Sequence, residues 1–393
     1  MKELPIIQLK RGKEESLLRF HPWVFSGAIA RVPDNVEEGD LVKVVSSTGE
    51  TIGVGHYQIG SIAVRVLVFG TDRLPEDYFS RRLAEAWRMR QTLGLMREDN
   101  NCMRLVHGEG DFMPGLVVDI YGSTAVMQAH SPGMHFCRNE IASALSELPG
   151  IRSVYYKSDT TLPYKANLDP VNAYLLGSYD GSVAMENGLL FNIDWLRGQK
   201  TGFFIDQRDN RALLERYAKG REVLNMFCYT GGFSVYAMRG QAKRVDSVDS
   251  SAKAIALTDA NIALNFADDP RHRSFATDAF KFLGEMEKGA YDLIILDPPA
   301  FAKHRGALKN GLLGYRKLNA KAFEKIRPGG ILFTFSCSQV VSRDMFRMAV
   351  FTAAAQSGRK VRILHQLTQP ADHPVNIYHP EGEYLKGLVL YVE

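Results

Sequence analysis

From about Gly181 to the end of the chain, short apolar runs alternate with stretches that are long enough to form helices. Apolar strands separated by helices are typical of a mostly parallel sheet with helices on both faces. A final run, Leu385–Tyr391, is expected to form an edge strand and could run antiparallel. The pattern predicts an α/β, Rossmann-like domain over residues 181–393. Its expected parallel strands are Val223–Phe227, Arg244–Val248, Arg273–Thr277, Asp292–Leu296 and Gly330–Phe335.

Two segments with different patterns precede this domain. Residues 1–72 predict a small β-barrel or sandwich, because glycines separate the apolar or alternating runs Leu41–Val45, Thr51–Val54 and Ile62–Val68. Residues 73–180 predict a small central α+β domain without a catalytic motif, with elements at Glu76–Leu93, Gly115–Ile120, Cys137–Leu148 and Val154–Tyr156. We therefore expect three domains, at residues 1–72, 73–180 and 181–393.

The composition excludes several classes of protein. With 45% apolar and 23% charged residues among 393, the chain is not disordered, collagen-like or of low complexity. The start lacks a signal-peptide core, and polar residues and a proline interrupt the longest uncharged run, Ile120–Cys137, so no membrane segment is expected. The four cysteines are too few and too scattered for a disulfide framework, and the absence of a CxxC pair argues against a zinc site. We expect a reduced cytoplasmic protein without a bound metal.

Four signals follow successive predicted strands. The first strand runs into the turn Cys228–Ser234, which has two glycines but lacks GxGxxG spacing. Asp249 ends the second strand, 18 residues beyond Gly231, near the spacing of carboxylates that bind ribose, although a helix N-cap would also explain it. Asp278 follows the third strand, and Asp297, before two prolines, follows the fourth. Since parallel strands end at one edge of a sheet, the set predicts a site for a nucleotide-like cofactor.

These motifs resemble a known family. The segments Asn225–Phe233 and Val248–Ser250, with Asp278 and Asp297–Pro299, resemble the successive motifs of class I S-adenosylmethionine-dependent methyltransferases. Asn225 departs from the pattern, since many of these enzymes have an acidic residue there.

Further segments resemble one subfamily, the bacterial 23S ribosomal RNA cytosine-C5 methyltransferases. They are Gly198–Arg208, Ala371–Pro374 and Pro380–Gly387. In addition, His21–Ala28 resembles the start of a PUA domain, an RNA-binding module of these enzymes. The resemblance covers essentially the whole chain and implies large-subunit ribosomal RNA as the partner.

The resemblance implies S-adenosylmethionine as the cofactor and gives its pocket residues roles. Gly231 and Gly232 would allow the backbone to approach the methionine moiety, Asp249 would hold the ribose, and Asp278 would accept from the adenine amine. The expected cofactor-binding residues are Phe227, Tyr229, Gly231, Gly232, Asp249, Ser250, Asp278, Ala279, Asp297, Gln207 and Lys200.

Cys337 is the expected catalytic nucleophile, because it follows the fifth strand and would lie beside Asp297; a structural thiol is the alternative. Cytosine C5 is a poor nucleophile, and addition of a thiolate to C6 converts it into a reactive enamine. Asp297 could hydrogen-bond or protonate N3. Nearby cations or a helix N-terminus would help the thiol to ionise. The base that removes the C5 proton is not identified, and Cys228 is interpreted as a packing residue.

The expected RNA surface comes from the distribution of charge. The net charge of +4 separates into +7 over residues 181–393, with 29 basic and 22 acidic residues, and −3 elsewhere. Residues 301–330 hold eight basic residues against one glutamate. Phe301 and Tyr315 could stack on a base or could pack in the core. The expected RNA-binding residues are Lys303, Arg305, Lys309, Arg316, Lys317 and Phe301.

Three alternatives remain at this point. A purine or guanosine-N methyltransferase would not need Cys337. A non-catalytic RNA-binding assembly factor could keep affinity for S-adenosylmethionine, and the missing GxGxxG spacing disfavours a nicotinamide dehydrogenase. The target nucleotide, naked RNA or a particle as substrate, and the oligomeric state, including a homodimer, are left open.

Overall fold

A computed structural model describes residues 3–163 and 168–393 of the protein. The chain folds into two compact units. The first comprises Met1–Met185, Ile193–Ile205 and Ala371–Gly382, and the second comprises Glu186–Asn192, Asp206–Pro370 and Glu383–Glu393. The division into three domains remains a prediction.

The first unit begins with a six-stranded sheet in the order β2-β6-β5-β4-β1-β3. All neighbouring strands are antiparallel except β1 and β4, which are parallel. The three strands expected from the sequence are present, and β5 and β6 extend beyond the predicted runs. The elements are β1 Ile6–Leu9, α1 Glu15–Leu18, β2 Trp23–Phe25, β3 Ile29–Arg31, β4 Leu41–Val45, β5 Thr51–Tyr57 and β6 Ile62–Phe69.

A second sheet of this unit has five strands in the order β11-β10-β9-β8-β7. Helices α2 and α4 confirm the two helices predicted for this segment, within two residues at most of their ends. The elements are α2 Tyr78–Thr92, β7 Cys102–His107, β8 Leu116–Tyr121, β9 Thr124–Ala129, α3 Pro132–Phe136, α4 Arg138–Ser146, β10 Ser153–Tyr156 and β11 Ala173–Leu176. Two short strands, β12 Val183–Glu186 and β13 Leu189–Asn192, follow along the chain.

The second unit is built on a seven-stranded sheet in the order β16-β15-β14-β17-β18-β20-β19. Its first five strands in the chain are parallel, as predicted. The elements are α5 Arg208–Ala218, β14 Glu222–Met226, α6 Gly232–Arg239, β15 Arg244–Asp249, α7 Ala252–Asn265, β16 His272–Ala276, α8 Ala279–Glu285, β17 Leu293–Leu296, α9 Leu308–Lys325, β18 Gly330–Ser336, α10 Arg343–Ser357, β19 Val361–Thr368 and β20 Lys386–Val392.

One expectation about this sheet is wrong. The last strand, β20, is antiparallel to both of its neighbours, but it lies between β18 and β19 and is not an edge strand. Its residues are almost all buried, whereas most side chains of β19 are exposed or half-buried. The edge strand on this side of the sheet is β19, which the sequence did not predict.

The pairing register brings the strand ends level. Met226 in β14 is opposite Val248 in β15 and Leu296 in β17, and Leu296 is opposite Thr334 in β18. Strand order reverses at β14, between β15 and β17, and such a switch point is where open α/β sheets bind ligands. Among the described residues, no helix is both long and apolar enough to cross a membrane.

Candidate active site

The turn after β14 has the backbone of a cradle. Phe227 and Tyr229 are non-glycine residues in the left-handed region, with φ of 59° and 49°, and Gly231 has φ of 77°. A Cβ on Gly231 would lie 2.6 Å from Cγ2 of Thr258, so only glycine fits this close approach. Strained residues of this kind cluster at ligand-binding sites because the surrounding structure must hold them there.

Asp249 ties this turn to the end of β15. Its Oδ2 accepts a hydrogen bond of 3.0 Å from the backbone N–H of Tyr229, and its Oδ1 accepts one of 2.9 Å from Ser251. The N-cap of α7 is Ser251, whose side chain accepts from Ala254, so the N-cap explanation for Asp249 is wrong. Carboxylate oxygens accept more than one hydrogen bond, which leaves capacity for ribose hydroxyls. Ser250 is exposed beside it.

Asp278, in contrast, is a helix N-cap. Its Oδ1 accepts a hydrogen bond of 2.9 Å from the backbone N–H of Lys281 at the start of α8. The carboxyl group is exposed, and the neighbouring Ala279 is buried. The geometry is compatible with a contact to adenine, and that role stays a prediction.

A buried polar chain lies below the cradle. Asn225 donates from Nδ2 to Oγ of Ser234 at 2.9 Å, and this hydroxyl is 2.6 Å from that of Ser247. Oδ1 of Asn225 is buried and has no hydrogen-bond partner among the described residues. Three features of this site fit a polar cofactor such as S-adenosylmethionine. The backbone at Gly231 has no room for a side chain, the carboxylate of Asp249 can accept further hydrogen bonds, and Oδ1 of Asn225 is a buried acceptor without a partner among the described residues.

Asp297 follows β17 directly and is held by Gln207. Nε2 of Gln207 donates to Oδ2 of Asp297 at 3.0 Å, and Asn210 donates to Oε1 of Gln207 at 2.6 Å, which fixes the orientation of the amide. Burial and the negative charge of Asp206 raise the pKa of Asp297 to about 7, against the hydrogen bond from Gln207, which lowers it. A carboxyl group with this pKa is partly protonated near neutral pH and can donate a hydrogen bond.

Cys337 lies beside Asp297 at the end of β18, as predicted. Its Sγ is 4.0 Å from the carbonyl oxygen of Pro298, the residue after Asp297. Burial, followed by the charges of Asp297 and Asp206, raises the pKa of the Cys337 thiol to about 12. The thiol is therefore neutral in the free protein, and its activation needs a nearby positive charge or a proton acceptor.

Lys386 supplies the nearby cation. Its ammonium group is buried, donates to the carbonyl oxygen of Ser338 at 2.7 Å, and lowers the pKa of Cys337. Burial lowers the pKa of Lys386 itself to about 8. From the sequence, either nearby cations or a helix N-terminus could have helped the thiol to ionise, and Lys386 was not identified, although it belongs to the motif Pro380–Gly387.

A second carboxyl group, Asp206, also belongs to this site and was not predicted. Its Oδ2 accepts a hydrogen bond of 2.7 Å from the hydroxyl of Tyr384. Its Oδ1 is buried without a partner among the described residues. Asp206 lies inside the motif Gly198–Arg208, so the resemblance marked the segment without marking the residue.

The other cysteines lack this setting. Cys228 is buried in the cofactor turn, with Sγ 3.7 Å from the hydroxyl of Thr258, and burial raises its pKa to about 12. This agrees with its interpretation as a packing residue. Cys102 is buried in β7, and burial raises the pKa of Cys137 to about 11.

Lys200 lies in the first unit and is exposed, with φ of 52°. The residues after it are packed: Thr201 donates to Oδ2 of Asp119 at 2.6 Å, and Phe203 is buried. The segment is therefore not a solvated loop. A contact between Lys200 and the cofactor stays a prediction.

Five basic residues after β17 have no ion pair with any residue in the described ranges. Four are exposed and Arg316 is half-buried: Lys303, Arg305, Lys309, Arg316 and Lys317. The remaining three basic residues of this segment are engaged, Lys321 with Glu324, Lys325 with main-chain carbonyls, and Arg327 with Asp292. The five unpaired charges form the candidate RNA surface.

The two aromatic residues of this segment differ. Tyr315 is fully buried, and its hydroxyl is 2.8 Å from that of Ser338, so it is a core residue and cannot stack on a base. Phe301 is half-buried with its ring 4.7 Å from that of Tyr315. Only Phe301 keeps an accessible ring for a base.

A cluster in the first unit has the residue types of a metal site. Ligand atoms of His21, His379 and Glu381 lie within 4.8 Å of one another. However, Nδ1 of His21 accepts a hydrogen bond from the N–H of Trp23, which places the proton of the neutral ring on Nε2, the atom facing Glu381. A metal ligand needs a bare nitrogen. We assign no metal to this cluster.

Two known families match separate ranges of the chain. Residues 164–381, just over half of the chain, match the family described as S-adenosylmethionine-dependent methyltransferase, and residues 7–69 match a PUA-like domain. The chain is 41% identical over 391 residues to Ribosomal RNA large subunit methyltransferase I of Tolumonas auensis, covering 98% of each protein. It is 40% identical over 392 residues to the protein of that name from Aeromonas hydrophila, again covering 98% of each.

Solved structures share the fold along the whole chain. One from Streptococcus mutans, provisionally described as a SAM-dependent methyltransferase, has a TM-score of 0.85 at 23% identity, covering 99% of this chain and 100% of that chain. Another, provisionally described as a methyltransferase and complexed with SAH, has a TM-score of 0.86 at 24% identity, with the same coverage. At this identity the likeness concerns the fold alone.

Proposed function

The chain belongs to the S-adenosylmethionine-dependent methyltransferases and carries a PUA-like domain, and from this premise we propose that it methylates C5 of a cytidine in large-subunit ribosomal RNA. The names of the relatives that match over 98% of the chain support this class of substrate. A ribosomal RNA substrate would place the reaction in the cytoplasm. The choice of C5 rests on one residue, Cys337.

The position of Cys337 carries the proposal. Methylation of a base amine needs no covalent thiol, whereas C5 of cytosine becomes nucleophilic only after addition at C6. Cys337 lies at the carboxyl edge of the sheet, close to Asp297 and to the cation of Lys386. A structural thiol would have no need of a buried ammonium group and a partly protonated carboxyl group beside it.

The residues of the site divide the work of this reaction. Cys337 first loses its thiol proton to solvent. The thiolate then forms a bond to C6, and Asp297 gives its proton to N3 as the enamine forms. S-adenosylmethionine, when bound, supplies the methyl group that C5 takes up. A base then removes the C5 proton, the C5–C6 double bond re-forms, the bond from C6 to sulfur breaks, and the N3 proton returns to Asp297.

The candidate RNA surface supports a polyanionic substrate. Its five charges follow Asp297 and Pro298 along the chain, and none is neutralised by an ion pair with a described residue. Such charges bind phosphates without reading sequence, so they would position an RNA without selecting its nucleotide. Phe301, at the start of this segment, is half-buried and could stack on a base.

Nucleoside-resolved mapping of ribosomal RNA tests the proposal. A strain that lacks the protein should lose one 5-methylcytidine from its large-subunit RNA, and the wild-type gene should restore it. Cys337→Ala should not restore it, whereas Cys137→Ser, which changes a thiol of the first unit, should. Loss of a methylated purine instead would identify a purine methyltransferase, and no change in any methylated nucleoside would identify a non-catalytic assembly factor. Either result would refute the proposal.

A further inference from the structure

We propose that the carboxylate of Asp206 is the base that removes the C5 proton from the methylated adduct, a role that rests on the cytosine-C5 function proposed above. The sequence left this base unidentified, and Asp206 was not among the predicted site residues.

The two oxygens of Asp206 have different surroundings. Oδ2 accepts the hydrogen bond from the hydroxyl of Tyr384 at 2.7 Å. Oδ1 is buried and has no partner among the described residues. A buried carboxylate oxygen without a donor is unusual, because it loses its water without replacement. An oxygen in this state is ready to accept a proton from a bound substrate.

Asp206 is close to the two groups that act on the base, because its charge raises the pKa of both Asp297 and Cys337. Its neighbour Gln207 donates to Asp297 on one side. On the other side, Tyr384 precedes Lys386 by two residues, and Lys386 is paired in the sheet with Ser336, next to Cys337. Asp206 is thus connected to Asp297 through Gln207 and to the end of β18 through Tyr384.

The two carboxyl groups are suited to opposite roles. Burial and the charge of Asp206 raise the pKa of Asp297 to about 7, which favours its protonated form as a donor. Asp206 receives its hydrogen bond from the hydroxyl of Tyr384 on Oδ2, so its oxygens act as acceptors and Oδ1 is left for a further proton. Neighbouring carboxyls with such different surroundings are the usual arrangement of a paired acid and base.

Other groups of the site are already committed. Asp297 has given its proton to N3 and takes that proton back in this step, so it does not also accept the C5 proton. The ammonium group of Lys386 donates to the carbonyl oxygen of Ser338, and its charge is needed beside the thiol. Among the described carboxylates of this site, Asp206 is the one with a buried oxygen that has no hydrogen-bond partner.

The proposed step releases the methylated cytosine from the enzyme. Oδ1 of Asp206 takes the proton from C5, and the electrons of the C–H bond form the C5–C6 double bond. The bond between C6 and Sγ of Cys337 breaks, and its electron pair leaves with the sulfur as thiolate. The N3 proton returns to Asp297, and the proton on Asp206 is lost to solvent.

Asp206→Asn tests the assignment, with a large-subunit ribosomal RNA transcript that carries tritium at C5 of cytidine and a cofactor that carries a labelled methyl group. The wild type should release tritium to water as it methylates. The variant should release it at least about 100-fold more slowly, the size of effect expected when a general base is lost. It should also accumulate an RNA–protein adduct that resists denaturation and carries the methyl label. A purely structural role would not trap a methylated adduct.

Asp209→Asn is the matched control, because this exposed aspartate lies three residues further along the same segment. It should behave as the wild type. Tritium release by Asp206→Asn at the wild-type rate would overturn the assignment. So would a variant that binds S-adenosylhomocysteine normally but forms no adduct, because Asp206 would then act before methyl transfer.

If Asp206→Asn does not bind S-adenosylhomocysteine, Tyr384→Phe decides in its place. Slower tritium release with a trapped adduct supports the base, and release at the wild-type rate overturns it. A failure of the proposed cytosine-C5 function would give a different experimental result. In that case the wild type itself releases no tritium, or Cys337→Ala keeps its activity.

Discussion

The side-chain amide of Gln207 donates a hydrogen bond of 3.0 Å to Oδ2 of Asp297, and this contact joins the residue before α5 to the end of β17. The bond stabilises the ionised carboxyl group and so opposes the burial that raises its pKa. Gln207 therefore lowers the pKa of Asp297, the acid that would protonate N3. Its position beside Asp297 is independent of whether it also contacts the cofactor.

The first prediction concerns the pH dependence of kcat/KM for RNA. The active form needs a protonated Asp297 and an ionised Cys337, and the pKa of the thiol, about 12, lies above that of Asp297, about 7. The fraction of this form rises with pH until Asp297 begins to ionise, and it is level above that point. kcat/KM should therefore rise about tenfold per pH unit below about pH 7 and then level off.

Gln207→Ala should move this bend to higher pH. Removal of the hydrogen bond raises the pKa of Asp297, and a bond of this kind corresponds to a shift of up to about one pH unit. A pH series of single-turnover rates under kcat/KM conditions measures it. An unchanged bend, or one at lower pH, would show that Asp297 does not set the profile.

Lys386→Met should slow reactions of the Cys337 thiol. The lysine charge lowers the pKa of the thiol, and loss of a neighbouring opposite charge costs about tenfold or more in thiolate at a given pH. The rate of alkylation of Cys337 by iodoacetamide, followed by peptide mass spectrometry, should fall accordingly. Lys386→Arg keeps the charge and should retain much of the rate. Equal rates for Met and Arg variants would contradict the role of the charge.

The residues at the strand ends could be predicted from the sequence for one physical reason. Successive parallel strands end at one edge of a sheet, so a local pattern of apolar runs is enough to bring Asp249, Asp297 and Cys337 to that edge. The register of β14, β15, β17 and β18 confirms that the strand ends are level. What each aspartate does at the edge depended on details that the pattern lacks, as the N-cap of α7 at Ser251 shows.

Asp206, Tyr384 and Lys386 could not be predicted in this way. Their proximity to Cys337 depends on the antiparallel insertion of β20 between β18 and β19, and on a contact across 178 residues of chain. The expectation of an edge strand failed for the same reason, because the pairing of β20 with β19 leaves no local signal. These three residues are brought together by long-range pairing, which residue type alone does not predict.

Gly231→Ala should weaken cofactor binding. The new Cβ would lie 2.6 Å from Cγ2 of Thr258 at a residue with φ of 77°, so the cradle must shift. We expect the Kd for S-adenosylhomocysteine to rise at least about tenfold, which corresponds to about 1.4 kcal/mol. Isothermal titration calorimetry gives this value directly.

Gly220→Ala is the control for that substitution. Gly220 has a similar φ of 71°, but a Cβ there would meet nothing within 4 Å. It should lower the free energy of unfolding by about 1–2 kcal/mol, the usual cost of a left-handed residue with a side chain, and leave the Kd unchanged. If both variants bind S-adenosylhomocysteine equally well, the turn after β14 does not form the cofactor site.

Lys309→Ala and Arg316→Ala should weaken RNA binding without affecting the cofactor. The two residues are seven positions apart on α9 and therefore lie on one face of the helix, and neither has an ion pair with a described residue. Each contact with a phosphate contributes about 0.9 to the slope of log Kd against log salt concentration. The double variant should therefore bind ribosomal RNA more weakly and with a slope smaller by about two. Lys321→Ala removes a charge already paired with Glu324, so its slope should remain close to that of the wild type. A double variant with the wild-type slope would place the RNA on another surface.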